Sequence, residues 1–192
     1  MKLPPLPHVT LASKSPRRKA LLDIAQIKND VLSIDVDESF SEDTPVEEVA
    51  EMLAKRKAEA AVSLYPDKLF LTADSVVIHR GKIYEKPVDR EDAIRIIQSL
   101  AGSVHEVITG VCIREGDRIV SFSDRSEVHL SEMTIHEIEW YVDQWEPYDK
   151  AGAYGIQDWI GHCKVRKIIG TYDTIMGLPT DRVYRTLVEW NA

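Results

Sequence analysis

The chain has 192 residues, of which 44% are hydrophobic and 29% are charged, and its net charge at neutral pH is −8. This length predicts a single domain over residues 1–192 with a substantial core. Within it, the proline-rich residues 1–7 are expected to form an extended leader. The negative charge excludes a broad face for nucleic-acid polymers. With no bilayer-length apolar run and no signal pattern, no membrane partner and a cytoplasmic location are expected.

The first predicted elements are a strand and a helix. Val9 to Ala12 is apolar and partly β-branched, which predicts a short strand. Ser15-Pro16 predicts a helix start, because serine caps free amides and proline fits the first helical position. Two arginines follow in the first turn, where the helix dipole disfavours cations. The pattern indicates a bound anion held by Ser13, Ser15, Arg17 and Arg18. The alternative is an ordinary capped helix with solvated arginines.

The later elements are predicted from hydrophobic periodicity and turn residues. In chain order they are a strand over 31–35, a helix over 46–64, strands over 69–72 and 76–79, a helix over 89–100, a hairpin of strands over 104–114 and 118–130, a helix over 134–145, a strand over 164–169 and a helix over 179–190. Because hairpins accompany crossovers, the prediction is an α/β fold with a mixed β-sheet and flanking helices.

Two groups of carboxylates are candidates for catalysis or metal binding. Asp74 follows an apolar segment at a predicted strand end, where α/β proteins place ligand sites. Glu38 has Asp35 and Asp37 beside it, and Mg²⁺ usually takes one or two carboxylates together with substrate phosphates. The alternatives are a turn aspartate bonded to its own backbone and a solvated acidic loop. Spacing alone does not join Glu38 to Asp74.

Three lysines and one histidine need separate interpretations. Lys55 and Lys57 are two residues apart on the long helix and point to different faces, so one can face a ligand while the other is solvated. Lys86 precedes a proline in a short loop and can supply a point charge for phosphate. Each lysine alone is more often a surface residue, and His105 at a strand start is expected to be structural.

A loop over residues 149–157 is rich in small residues. Small side chains let the backbone approach a ligand closely. Gln157 at its end offers both a donor and an acceptor to the edge of a nucleobase. A structural turn could use the same glycines.

Together these segments resemble the Maf family of nucleoside triphosphate pyrophosphatases, from about Val9 to Leu187. Each motif is weak alone, whereas their number and order are specific. The motifs are Ser13-Lys14-Ser15-Pro16-Arg17-Arg18, Val36-Asp37-Glu38, Ala54-Lys55-Arg56-Lys57-Ala58, Ala73-Asp74-Ser75-Val76-Val77, Lys86-Pro87, Ala101-Gly102-Ser103-Val104-His105, Thr109-Gly110-Val111, residues 149–157 and Gly177-Leu178-Pro179.

The resemblance implies the fold of inosine triphosphate pyrophosphatases, with two lobes around a nucleotide cleft, and a homodimer. It implies hydrolysis of a nucleoside triphosphate to the monophosphate and pyrophosphate with Mg²⁺ or Mn²⁺. Asp74 is then the general base and, with Glu38, a metal ligand. Between the two helix lysines the family pattern favours Lys55, and the role of Arg18 stays open between binding phosphate and bracing the acidic cluster. The implied substrate-binding residues are Ser13, Ser15, Arg17, Arg18, Lys55, Ser75, Lys86 and Gln157.

The resemblance also implies a substrate class. Arg17, Ser75 and Gln157 match the branch that prefers dTTP and UTP, so a house-cleaning role on these or modified pyrimidine nucleotides is expected. The sister branch, acting on 7-methyl-GTP, has tryptophan and glutamate at the positions of Arg17 and Gln157. Ser75 replaces the usual threonine and Asp158 a common glycine, neither of which removes a catalytic group. The alternatives are a 7-methyl-GTP pyrophosphatase and a nucleotide-binding regulator of septum formation without turnover.

Overall fold

The computed structural model describes residues 4–41 and 43–190, so the first three residues of the expected leader lie outside the described part. Within these ranges the strands are β1 (Val9–Ala12), β2 (Asn29–Leu32), β3 (Phe70–His79), β4 (Lys82–Tyr84), β5 (Val104–Glu115), β6 (Arg118–Leu130) and β7 (Val165–Ile169). The α-helices are α1 (Pro16–Ile24), α2 (Val46–Leu64), α3 (Arg90–Leu100), α4 (Ile135–Trp145), α5 (Trp159–Cys163), α6 (Tyr172–Met176) and α7 (Thr180–Trp190).

The strands form one mixed seven-stranded sheet, which confirms the predicted α/β class. The strand order is β2-β1-β3-β5-β6-β7, and β4 pairs with β3. β1 is parallel to both β2 and β3, whereas β4 is antiparallel to β3 and β7 is antiparallel to β6. No helix in the described ranges combines the length and apolar character that crossing a bilayer requires.

Asp74 lies inside a strand, so the prediction of a strand end there is wrong. β3 is continuous, and the two predicted segments are one ten-residue strand. Its first part pairs with β1, with Leu11 opposite Leu71, and its last part pairs with β4, with Ile78 opposite Ile83. Asp74 lies between these two pairings. The strand therefore pairs with β1 before Asp74 and with β4 after it.

Other differences from the predicted elements concern short segments. β2 covers Asn29–Leu32 instead of 31–35, because it pairs residue by residue with β1, from Val9 opposite Asn29 onward. β4, α5 and α6 were not predicted, since elements of three to five residues show no full repeat of a hydrophobic pattern. Asp89 and Thr134, the first residues of two predicted helices, are the N-cap residues instead, and their side chains accept the amide hydrogen bonds that start α3 and α4.

The chain divides into two compact units. The first comprises residues up to Asp74, Thr109–Asp124, and the residues from Gly177 onward, and the second comprises Ser75–Ile108 and Arg125–Met176. β3, β5 and β6 each contribute residues to both units.

The core of the first unit is built from β1 and the inner face of α2. All four residues of β1 are buried, and the Thr72 hydroxyl of β3 donates a hydrogen bond of 2.7 Å to the carbonyl of Ala54 on α2. Gly110 on β5 has no room for a side chain, because a Cβ there would lie 2.2 Å from the main-chain nitrogen of Glu51. The backbone of α2 thus lies directly against β5, which fixes the direction in which each α2 side chain points.

The core of the second unit lies between α3, α4 and the strand segments beneath them. Its fully buried side chains include Ile97, Leu100, Ile138, Tyr141 and Val142. Burying an aliphatic side chain of this size contributes roughly 1.5–3 kcal/mol. This packing gives the loop that carries Gln157 a rigid base.

Candidate active site

The segment between β1 and α1 is held by Ser13, which corrects the predicted cap. Pro16 is the first residue of α1, as predicted, but the Ser15 side chain makes no capping hydrogen bond. Instead, the Ser13 hydroxyl oxygen accepts the main-chain N–H of Ser15 at 3.2 Å and Nη1 of Arg18 at 3.1 Å. The serine that organises this helix start is therefore two residues earlier than the local pattern indicated.

Arg18 is half-buried and bound to main-chain and side-chain oxygens. Its Nε donates to the carbonyl of Gly177 at 2.8 Å, in addition to the bond to Ser13. Burial lowers the pKa of Arg18, the charge of Asp74 opposes that shift and the charge of Arg17 adds to it. These contacts tie the start of α1 to Gly177, and the roles of Arg18 and of Arg17, also half-buried, as substrate ligands stay predictions.

A lysine on α2 joins the two candidate metal ligands. The ammonium of Lys57 lies 2.7 Å from Oε1 of Glu38 and 2.5 Å from Oδ1 of Asp74. The side chains of Lys57 and Asp74 are only 13% and 15% exposed, while that of Glu38 is 47% exposed. The structure therefore brings Glu38 and Asp74 to one cation, a proximity that their spacing of 36 positions in the sequence could not indicate.

Lys55 lies on a different face of the same helix. Its ammonium is 2.7 Å from Oε1 of Glu51, one turn earlier, and its side chain is about half exposed. Two residues along a helix are separated by about 200°, so the two lysines cannot reach the same group. The lysine that contacts the acidic pair is Lys57, contrary to the preference for Lys55, whose role in binding substrate stays a prediction.

In the second unit the Gln157 loop is fastened to α4 through a buried tyrosine. The hydroxyl oxygen of Tyr141 accepts the N–H of Gly155 at 3.1 Å and the hydroxyl donates to Oδ2 of Asp158 at 3.0 Å. Burial raises the pKa of Tyr141 far above its ordinary value, so the group stays a neutral donor. Sequence reasoning missed Tyr141, and its only signal was its place on the apolar face of α4.

Gln157 itself has a buried acceptor atom. Its Oε1 is inaccessible to solvent and has no hydrogen-bond partner among the residues that the structure describes. A Cβ at Gly155 would lie 2.6 Å from Gln157 Nε2, so the glycine makes space for this amide. The other predicted residues of the second unit are Ser75, half-buried in β3, and Lys86, exposed after β4.

His105 is structural, and its surroundings predict a pH-dependent stability. It is 1% exposed, its Nε2 is 2.8 Å from the Tyr154 hydroxyl, and burial, with smaller contributions from His79 and His129, lowers its pKa to about 3. In the unfolded chain the imidazole of His105 is protonated below about pH 6.5, whereas in the folded chain it stays neutral down to about pH 3. We therefore expect the free energy of unfolding to fall by up to about 1.4 kcal/mol for each pH unit by which the pH is lowered within this interval.

Urea unfolding between pH 7.5 and 5 measures this slope. His105→Gln should flatten it, while His136→Gln, which removes an exposed histidine, should leave it unchanged. Equal slopes for the wild type and His105→Gln would contradict the assignment.

These features define a chemical class. On a mixed-sheet α/β fold, two carboxylates share a lysine, and an arginine-bearing helix start contributes to the same unit. This donor set suits phosphate and a divalent cation. A family model described as "Maf: Maf-like protein" matches residues 8–190. The chain belongs to the Maf family.

Relatives with assigned names match nearly the whole chain. A protein named "dTTP/UTP pyrophosphatase" from Bacteroides fragilis (strain YCH46) is 42% identical over 183 residues, which cover 94% of this chain and 95% of that protein. A protein of the same name from Bacteroides thetaiotaomicron is 41% identical over 182 residues and 94% of each chain. The solved structure of the Staphylococcus aureus Ham1 protein gives a TM-score of 0.48 at 14% identity, covering 66% of this chain and 73% of that one.

Proposed function

We propose that this protein hydrolyses nucleoside triphosphates, dTTP and UTP in particular, to the monophosphate and pyrophosphate. The observation that carries the proposal is the ion-paired cluster of Lys57, Glu38 and Asp74 in a chain that belongs to the Maf family. The names of the relatives, which match at 41–42% identity, support the choice of nucleotide.

In the proposed reaction, water attacks the α-phosphorus, the bond from that phosphorus to the bridging α–β oxygen breaks, and pyrophosphate leaves. Asp74 accepts the proton from the attacking water. Its Oδ1 accepts a hydrogen bond of 2.5 Å from the ammonium of Lys57. Lys57 holds the carboxylate in place and offsets the charge of the triphosphate, together with the substrate-binding residues Ser13, Ser15, Arg17, Lys55 and Lys86.

The acidic pair fits a divalent metal bound together with substrate. No group of three or more His, Cys, Asp or Glu side chains suited to a metal occurs among residues 4–41 and 43–190. Mg²⁺ in phosphate-processing sites is usually bound by one or two carboxylates plus the substrate's phosphates, and Glu38 and Asp74 supply that number. We therefore propose Mg²⁺ or Mn²⁺ at these residues, where the ion, when bound, neutralises triphosphate charge.

Gln157 supports the preference for thymine and uracil. Both bases present an N3–H donor beside carbonyl acceptors, and the Gln157 amide offers the complementary pair of Oε1 acceptor and Nε2 donor. A buried acceptor without a partner in the described chain is costly unless a ligand satisfies it. With Arg17 and Ser75, this amide is our proposed determinant of the base.

A homodimer and a cytoplasmic location, without a nucleic-acid polymer as partner, complete the proposal.

A nucleotide panel tests the function. The protein is incubated with dTTP, UTP, dCTP, 7-methyl-GTP and modified pyrimidine triphosphates, with Mg²⁺ or Mn²⁺, and pyrophosphate release is measured. We expect kcat/KM for dTTP and UTP to exceed that for 7-methyl-GTP by at least about tenfold, since a base with a mismatched hydrogen-bonding edge leaves buried polar groups unpaired. Preference for 7-methyl-GTP would favour the sister specificity, and binding without turnover would favour the regulator.

A further inference from the structure

The loop that carries Glu38 has no regular secondary structure of its own. This acidic loop, residues 33–41, follows β2 and is mostly exposed. An exposed loop without ladder hydrogen bonds loses its geometry easily unless side chains from a packed element hold it. Glu38 nevertheless reaches the half-buried Lys57, which also binds Asp74. The contacts of this loop therefore decide whether the acidic pair forms.

Arg56 binds the main chain on both sides of Glu38. A single guanidinium nitrogen, Nη1, donates to the carbonyl of Asp37 at 2.5 Å and to the carbonyl of Ser39 at 2.7 Å. Arg56 directly precedes Lys57 on α2, so two successive side chains of one helix hold the same stretch. Arg56 fixes the backbone that flanks Glu38, and Lys57 binds the Glu38 carboxylate.

The other two acidic residues of the loop are used locally. The Asp37 carboxylate accepts the N–H of Ser39 at 2.9 Å and its hydroxyl at 2.7 Å, and these bonds lower the pKa of Asp37. Asp35 pairs with Lys14, but the side chains of Lys14 and Asp35 are 65% and 89% exposed, so this pair contributes little to the stability of the loop. The contacts of Arg56 therefore act on the backbone that flanks Glu38, while Lys57 binds its carboxylate.

We propose that Arg56 is a positioning residue for Glu38. By holding the two carbonyls that flank Glu38, it keeps the carboxylate within reach of Lys57 and Asp74 before substrate arrives. The functional consequence rests on the proposed pyrophosphatase activity. Nothing in this role requires Arg56 to touch the substrate or the reacting atoms, so its loss acts through Glu38.

Three variants test the proposal. Arg56→Met removes both hydrogen bonds and keeps the apolar stem, whereas Arg56→Lys keeps one nitrogen able to donate to both carbonyls. Arg114→Met is the matched control, because Arg114 is also an arginine that binds a main-chain carbonyl, but its partners, Glu59 and Gly116, lie outside the acidic loop.

In the wild-type background, Arg56→Met should lower kcat/KM for dTTP about 10–100-fold and raise the half-saturating Mg²⁺ concentration, as is usual for groups that orient a metal ligand. Arg56→Lys should recover most of the loss, and Arg114→Met should stay within about twofold of wild type, since substitutions remote from such features have small effects. In a Glu38→Gln background, Arg56→Met should cost little more, because residues that act as one unit are not additive. An undiminished loss in that background would overturn the proposal.

Hydrogen exchange of the peptide over residues 33–41 provides a readout that needs no turnover. Exchange should be faster in Arg56→Met than in wild type and unchanged in Arg114→Met. Equal exchange in Arg56→Met and wild type would also overturn the proposal. If the wild-type protein releases no pyrophosphate from any triphosphate, the proposed function fails, while the exchange comparison still decides whether Arg56 holds the loop.

Discussion

Replacement of Asp74 by asparagine is expected to reduce kcat for pyrophosphate release from dTTP by about 10³-fold, within the usual range for loss of a general base. Asparagine has nearly the same size, and its Oδ1 can still accept the hydrogen bond that Lys57 donates to Asp74. It cannot take a proton from water. The loss should therefore lie in kcat, with a thermal midpoint close to that of the wild type.

Single-turnover measurements at saturating dTTP and Mg²⁺ isolate the chemical step from product release. Asp23→Asn is the control, because Asp23 is a carboxylate bonded to a lysine on the exposed side of α1, within the same unit. We expect the control to match wild type. Turnover by Asp74→Asn at the wild-type rate would show that another group accepts the proton.

The second large effect is expected at Lys57. In Lys57→Met the carboxylates of Glu38 and Asp74 lose their shared cation, so kcat/KM should fall about 10²-fold, as for the loss of one charged donor from a preorganised site. The free energy of unfolding should also fall, by about 1–2 kcal/mol. This is less than the cost of breaking a fully buried pair, because Glu38 is half exposed and solvent screens it.

Lys55→Met, measured under the same conditions, distinguishes the two helix lysines. The pair of Lys55 with Glu51 is a helical i, i+4 pair whose lysine is half exposed, and such pairs contribute about 0.3–0.5 kcal/mol. We expect a smaller loss of kcat/KM than in Lys57→Met, because the ammonium of Lys55 pairs with Glu51 and that of Lys57 pairs with Glu38 and Asp74. A larger loss in Lys55→Met than in Lys57→Met would restore the choice that the family resemblance favoured.

The elements that the sequence predicted well are those with long internal patterns. α2 repeats its apolar positions over nineteen residues, and β5 and β6 meet at a turn around Gly116. β3 was divided into two strands because Asp74 and Ser75 interrupt its apolar run. Whether such an interruption ends a strand depends on its hydrogen bonds to neighbouring strands. For β3 one of these neighbours is β1, which is distant in sequence, so the local pattern does not reveal the pairing.

For the candidate site, too, some properties follow from the sequence and others only from the structure. The sequence by itself determined which chemical groups are present and in what order: the Ser-Lys-Ser-Pro-Arg-Arg start of α1, the carboxylates of Glu38 and Asp74, the cations of α2 and Gln157. These depend on residue type and local spacing alone.

Only the tertiary structure decided which of these groups meet. It brings Lys57 to the two carboxylates, Ser13 to Arg18, and Arg56 to the carbonyls of the acidic loop. For the two residues of α2, the physical reason is the packing of α2 against β5 at Gly110, where the absence of a side chain lets the helix backbone lie on the strand. Each residue along a helix turns its side chain by about 100°, so the orientation in which α2 packs decides which of its cations point toward the carboxylates.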